Sequence, residues 1–327
     1  MGTPRRSGWL VLLVLGLLAL VAPTAGATPR SGHPTAHRLV TGLQGGSGST
    51  IGPDRALYVT ESAAGRITRV DPKTGATTTY ASGLPTLIPE VGFGGPVDVA
   101  FLGRTAYVLV TLVGPDVGGS DVVGVYRVDG PDRFTVVADI GAFSIANPPA
   151  TDFFVPSGVQ YALQAYRGRL LVSDGHHNRV LRVTRDGQIS ELRAFGNIVP
   201  TGLDVRGRTI YMAQAGPVPH LPEDGKVVAF RPNSPTVRDV ATGSRLPVDV
   251  EFGPRHRLYA LSQGVFPPGN PEGSPALPNT GALVKANRDG TFSVVIDRLN
   301  QPTSLEFIGK TAYVVTLGGE IWKIKGV

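Results

Sequence analysis

Four acidic residues stand at two recurring positions of this chain. Asp98 and Asp249 each follow a proline by two residues, in GGPVDVAF and LPVDVEFG, where the corresponding stretches carry Gly158, Gly202 and Ser304. Glu61 and Asp174 each lie three residues past an apolar anchor, Tyr58 or Leu171, where the corresponding residues are Val110, Gln214, Ser262 and Thr316. If the fold brings these positions to one mouth, four carboxylates gather in a partly buried place. Such a group repels itself unless a cation or protons compensate it. Hard carboxylate oxygens suit calcium or magnesium better than zinc. The expected metal set is Glu61, Asp98, Asp174 and Asp249 around one divalent cation, with Gln214, His177, His220 and Ser262 on the ligand-facing rim. The same acids have a plainer use: Asp174 as a turn cap, and Asp98 and Asp249 as acceptors for neighbouring backbone amides.

Other chemistry is thin. His176 and His177 lie side by side in LVSDGHHNRVLRV, residues 171–183. In extended backbone adjacent side chains point to opposite faces, so the pair cannot easily share an ion, and no HExxH accompanies it. The stretch reads as a turn on a rim. Gly309-Lys310-Thr311 looks like the tail of a phosphate loop, but it aligns with Gly103-Arg104-Thr105 and Gly207-Arg208-Thr209 and is a repeated turn. No nucleophile elbow, Walker loop or dinucleotide fingerprint is present. The chain has no cysteine, which excludes disulfides, thiolate metal sites, a cysteine nucleophile and a lipoprotein anchor.

The elements that must position these residues form a repeat. Five stretches, GGPVDVAF, VPSGVQYA, VPTGLDVR, LPVDVEFG and QPTSLEFI, each precede a second strand, and GGSGSTIGPDRALYVTE is an earlier copy without the proline. The second-strand anchors Tyr58, Tyr107, Leu171, Tyr211, Tyr259 and Tyr313 are spaced by 49, 64, 40, 48 and 54 residues. Third strands (RITRVD, VGVYRVD, RVLRVT, KVVAFR, ALVKAN, EIWKIK) and fourth strands follow, most alternating with period two. Forty-three glycines and 28 prolines suit such short strands. The pattern predicts an all-β, six-bladed propeller of four-stranded blades. The sixth unit stops after its third strand, so His37–Leu43 is expected to supply the missing strand by pairing with Glu320–Lys325.

Leu171, Val172, Ser173, Asp174, Asn178, Arg179 and Val180 resemble an NHL repeat. Over residues 38–327 the phrases GGPVDVAF, VPSGVQYAL, GRLLVSDGHHNRVLRV and LPVDVEFGPRHRLYALSQG resemble the ScyD/ScyE-type family of exported propellers. More distantly the chain is similar to six-bladed propellers of the SMP-30/gluconolactonase group. That likeness implies an axial calcium- or zinc-type ion serving lactone hydrolysis.

In a propeller the connections between blades share a face with those between second and third strands. In this chain that face collects the long segments 84–95, 112–121, 141–157, 215–225 and 263–281, whereas the opposite face has short turns. Long loops on a rigid rim are where binding concentrates. Phe93, Phe143, Phe153, Phe154 and Phe266 lie in them. On the short-loop face Arg55, Arg104, Arg169, Arg208, Arg257 and Lys310 recur, with Asp71, Asp132, Asp186 and Asp289 on adjacent turns, and mutual ion pairs are expected there.

Arg5, Arg6, the apolar run Trp9–Val21 and Ala25-Gly26-Ala27 read as a secretory leader over residues 1–27, followed by a linker at 28–36 and the propeller at 37–327. The run is too short to span a bilayer, so no stable membrane span is expected after cleavage. The net charge is +6, and +4 without Arg5 and Arg6, which argues no nucleic-acid partner. The expectation is a secreted or cell-envelope protein, a monomer, that binds a small molecule or protein through its long-loop face. The alternative is a divalent-metal-dependent lactonase in which one of the four carboxylates is the general base.

Overall fold

The computed structural model describes residues 1–2 and 33–327; the expected leader lies outside the described residues. Six antiparallel four-stranded sheets make six blades. Blade one is Gly46–Ile51, Leu57–Glu61, Arg66–Val70 and Thr77–Ser82, and blade two is Gly95–Leu102, Thr105–Thr111, Gly124–Gly130 and Arg133–Asp139. Blade three is Gln160–Tyr166, Arg169–Asp174, Arg179–Val183 and Ile189–Ala194, and blade four is Pro200–Arg206, Thr209–Gln214, Lys226–Phe230 and Val237–Thr242. Blade five is Pro247–Phe252, Leu258–Ser262, Gly281–Ala286 and Phe292–Leu299. Blade six is Pro302–Ile308, Thr311–Thr316, Ile321–Lys325 and, from the other end of the propeller sequence, Thr35–Val40.

The closing strand pairs as expected, with Thr35 opposite Lys325, Arg38 opposite Trp322 and Val40 opposite Ile321, and it begins ahead of His37. At the inner end the same joint is stitched by Ser49 and Ser304, whose hydroxyls lie 2.8 Å apart, and by Thr303 Oγ1 donating to Ser47 O at 2.9 Å. Closure leaves only short outer edges.

Burial follows each strand's place in its blade. Second strands lie between two neighbouring blades, so Leu57–Glu61 and Leu258–Ser262 are buried at every residue. Fourth strands form the outer edge and are mostly exposed, as in Val237–Thr242, where only Ala241 is buried. The tyrosine anchors lock one blade to the next. Tyr58 meets Phe101, Tyr211 meets Phe252 and Tyr259 meets Phe307, with centroids 4.9, 4.8 and 4.9 Å apart. Each such pair contributes about 0.5–1.5 kcal/mol beyond its buried area.

Two features differ from the sequence reading. The segment expected as a plain loop before blade three contains a helix, Ile140–Ala146, whose first turn is capped by Asp139 accepting from Ala142 N at 2.7 Å. Among the described residues the short-loop basic and acidic turns do not pair with one another. Asp71 accepts from the amides of Lys73 and Thr74, and Asp289 from Thr291. A short acidic side chain at a turn reaches its own backbone before it reaches a neighbouring blade.

Candidate functional site

The structure does not bring Glu61, Asp98, Asp174 and Asp249 together. Glu61 and Asp174 end second strands and stand directly opposite the first residue of the third strand, Arg66 and Arg179. Glu61 is fully buried and forked by Arg66, at 2.7 Å to each oxygen; Gln44 N and Thr68 Oγ1 also donate to it. Burial alone would raise its pKa, but these donors outweigh burial and hold it below the ordinary range.

Asp174 is equally buried. It accepts from Arg179 Nε at 3.2 Å and from Val159 N at 3.2 Å. Arg179 in turn donates to Asn147 O (2.7 Å) and Ser144 Oγ (2.9 Å) of the helix segment. These acids are blade-to-rim clamps. Four donors take up the oxygens of Glu61, and Asp174 is held against Arg179, so neither turns toward the axis to meet an ion.

Asp98 and Asp249 do face the axis, and each is a stitch between blades. Asp98 accepts from Val99 N (2.8 Å) and, across the joint, Leu163 N (2.7 Å). Asp249 does the same with Val250 N (2.8 Å) and Leu305 N (2.7 Å). The neighbouring blade must yield room: a Cβ on Gly48 would overlap Asp98, and one on Gly202 would overlap Asp249. Burial raises both acids against the pull of their amides, Asp249 to about 7 and Asp98 well above its ordinary value.

Each of these two offers at most residual lone pairs. Among the described residues no group of three or more His, Cys, Asp or Glu is disposed to hold a metal. The residues present therefore do not fit the expected calcium-type centre.

A second level of the channel escaped the sequence reading. Inner-strand residues opposite the second-strand anchors form a ring: Thr50, Ala100, Gln164, Asp204, Glu251 and Glu306. Three consecutive blades thus contribute acids. Asp204 accepts from Phe252 N at 2.8 Å and from Val205 N, and burial pushes it up to about 6. Glu251 and Glu306 have no hydrogen-bond partner among the described residues. Burial, then the charge of neighbouring acids, raises both well above the carboxylate range. The available signal was cross-strand pairing with the anchor, which the proline-based alignment did not use.

These levels line a cavity of about 620 Å³ that opens among the long loops. Its walls include Phe93, Leu112, Val117, Tyr161, Val199 and Leu246, with Asp98, Asp249, Glu251 and Glu306 along the axis. Phe93 stacks on Tyr161 at 5.5 Å. Segment 171–183, with its adjacent histidines, is a strand, a turn and a strand, as expected of a repeat.

Its two histidines divide their roles. His176 lines the cavity; its Nε2 accepts from the amides of Phe154 (2.8 Å) and Val155 (3.1 Å), which leaves the proton on Nδ1, 3.4 Å from Glu272 of the longest rim loop. His177 is buried, bonded to Val155 O (3.0 Å) and Arg179 (3.1 Å). Of the expected rim set, His220 lines the cavity, its Nδ1 donating to Gly216 O at 2.7 Å. Gln214, Ser262 and His177 do not, because second-strand ends and this turn are covered by the rim loops; Ser262 donates to Arg245 O.

No family model matches the chain, and no curated protein matches it in sequence. Solved structures do share its fold. A gluconolactonase from Xanthomonas campestris aligns at TM-score 0.62 and 13% identity, over 90% of this chain and 91% of its own. The PQQ-bound aldose sugar dehydrogenase of Streptomyces coelicolor gives 0.59 and 13%, over 91% and 99%. Virginiamycin B lyase from Staphylococcus aureus gives 0.55 and 12%, over 89% and 98%. At these identities the likeness is one of fold, a six-bladed propeller shared with gluconolactonase-like and virginiamycin B lyase proteins.

Proposed function

We propose that this chain is an exported binding module of the ScyD/ScyE type that takes a small molecule into its axial cavity through the long-loop face. The observation that supports this most is the cavity itself. It is large enough for a drug-sized ligand, mostly apolar at the walls, and carries a few polar groups at the axis. The leader-like sequence supports export to the cell envelope or medium, and closure of the ring is consistent with a monomer. An acid-lined channel without a lysine or arginine does not suit nucleic acid.

The test is binding of the uncharged probe N-phenyl-1-naphthylamine, read by its fluorescence. A saturable signal is expected, lost in Ala162→Trp, which fills the cavity; Val159→Trp is the second filling variant if the first does not fold. A missing signal, or one that both filled variants retain, counts against the reading.

The second reading is a hydrolase. It draws on the gluconolactonase likeness and on Asp249, whose carboxyl at about 7 is suited to move a proton. Because the donor set does not fit a resident metal, EDTA is expected to leave the melting temperature unchanged. A drop of several degrees, reversed by calcium, would restore the metal-dependent version.

A further inference from the structure

The lining of the cavity has a sign. Asp98, Asp249, Glu251 and Glu306 face the axis and Asp116 and Glu272 the mouth, while no lysine or arginine lines it. Four of these acids are already engaged. Asp98 and Asp249 hold backbone amides, Asp116 accepts from Ser157 N at 2.9 Å, and Glu272 faces His176. Glu251 and Glu306 are different. They project from neighbouring inner strands at the same level, opposite Tyr259 and Tyr313, and no donor among the described residues reaches either.

Two further polar residues line the cavity without a full set of partners among the described residues. Ser47 is 8% exposed and lines the cavity with its hydroxyl unpartnered. Gln263, 7% exposed, accepts from Ala276 N at 2.9 Å through Oε1 and leaves its amide nitrogen without an acceptor. Both stand open to the cavity, where water or a ligand can meet them.

We propose that the axial cavity selects an organic cation, an ammonium group on an apolar or aromatic body, with the ammonium seated between Glu251 and Glu306. This rests on the binding-module reading and names its ligand class. An ammonium brings three donors to two carboxylates that have none. The body lies along Leu112, Val117 and Leu246 toward the Phe93–Tyr161 stack and Phe154 at the mouth, walls that suit an apolar or cation-bearing ring. A calcium-type ion would need about six to eight oxygens, and among the described residues that line the cavity only these two carboxylates lack a partner. An anion would find no lysine or arginine in the lining to hold it.

The groups facing Glu251 are Glu306, Asp204 and Asp249, and those facing Glu306 include Asp249, Asp204 and Asp98. All are acids. Burial and this crowding keep the pair protonated near neutral pH when no cation is present. Binding therefore releases protons, and affinity rises with pH.

The experiment is displacement of N-phenyl-1-naphthylamine by three ligands of one shape: 4-phenylbutylamine, 4-phenylbutan-1-ol and 4-phenylbutanoate. The amine is expected to compete at least tenfold better than the alcohol, the carboxylate least, with proton release seen by an indicator dye. Glu251→Gln/Glu306→Gln is expected to bring the amine down to the alcohol while still binding the naphthylamine; Glu251→Gln alone serves if the double variant does not fold. Equal or better competition by the alcohol or carboxylate, or an amine preference that survives the Gln variants, overturns the assignment. A protein that never binds the naphthylamine instead removes the cavity reading beneath it.

Discussion

Arg179→Met is expected to destabilise the protein by about 3–5 kcal/mol, because it strands a buried carboxylate. Arg179 is among the largest fully buried side chains, at 1% exposure, and Asp174 beside it is at 0%. Together they tie the second and third strands of blade three to Ser144 and Asn147, and so to the rim segment that carries the helix. Methionine matches much of the volume and none of the five donors. In a domain of this size the loss corresponds to a melting temperature lower by about 5–10 °C.

Asp174→Asn in the same background is expected to recover part of the loss. Because the pair acts as one unit, the double variant should cost at least about 1 kcal/mol less than the sum of the singles. Denaturant melts of the four proteins provide the cycle. Strict additivity would mean that the two side chains act independently, contrary to the clamp described here.

The pH dependence of stability is expected to be at least as large. Asp204 and Asp249 are raised to about 6 and about 7, and Asp98, Glu251 and Glu306 lie well above their ordinary values. In the unfolded chain all five lose their protons near pH 4. Between that pH and the raised values the native state holds protons the unfolded state has released, so stability falls as pH rises. For Asp249 alone the difference amounts to on the order of 4 kcal/mol between pH 4 and 7.

The five acids interact, so the titration observed belongs to the cluster. At the other end Glu61, Glu272 and Asp54 are held below their ordinary values, and the stability they add disappears as pH falls below 4. The melting temperature should therefore peak near pH 5 and decline through pH 6–8. Glu251→Gln/Glu306→Gln, which breaks no hydrogen bond, should flatten the decline. A melting temperature that rises steadily from pH 5 to 8 would contradict the buried acid cluster.

The propeller was legible in the sequence because its signals are local and repeated. An alternating run and a tight turn recur six times, with a leading proline in five units and an aromatic anchor in five, and strand periodicity survives irregular loop lengths. Even ring closure could be read, since a sixth unit one strand short and a stray strand ahead of the first unit have one economical solution. The helix at Ile140–Ala146 was not legible. Seven residues are too few for a helical period to stand out from a loop, and its supports are Asp139 at the cap and Arg179 from another blade.

The functional positions divide along the same line. That Asp98 and Asp249 sit at the inner end of facing blades follows from their register after the proline. Whether Glu61 and Asp174 faced the axis depended on what stood opposite them, and cross-strand Arg66 and Arg179 claimed both. Glu251 and Glu306 look like ordinary outward charges of alternating strands in VDVEF and TSLEF. Only convergence of six inner strands on one axis places them together, inside, with no basic partner. Sequence periodicity determined which elements form and in what order; tertiary packing decided which charges were neutralised and which were left facing the cavity. The reason is that a carboxylate's role is set by its nearest donors: for Glu61 and Asp174 these stand on the adjacent strand of the same blade, and for Asp98, Asp204 and Asp249 on the neighbouring blade, 65, 48 and 56 residues away.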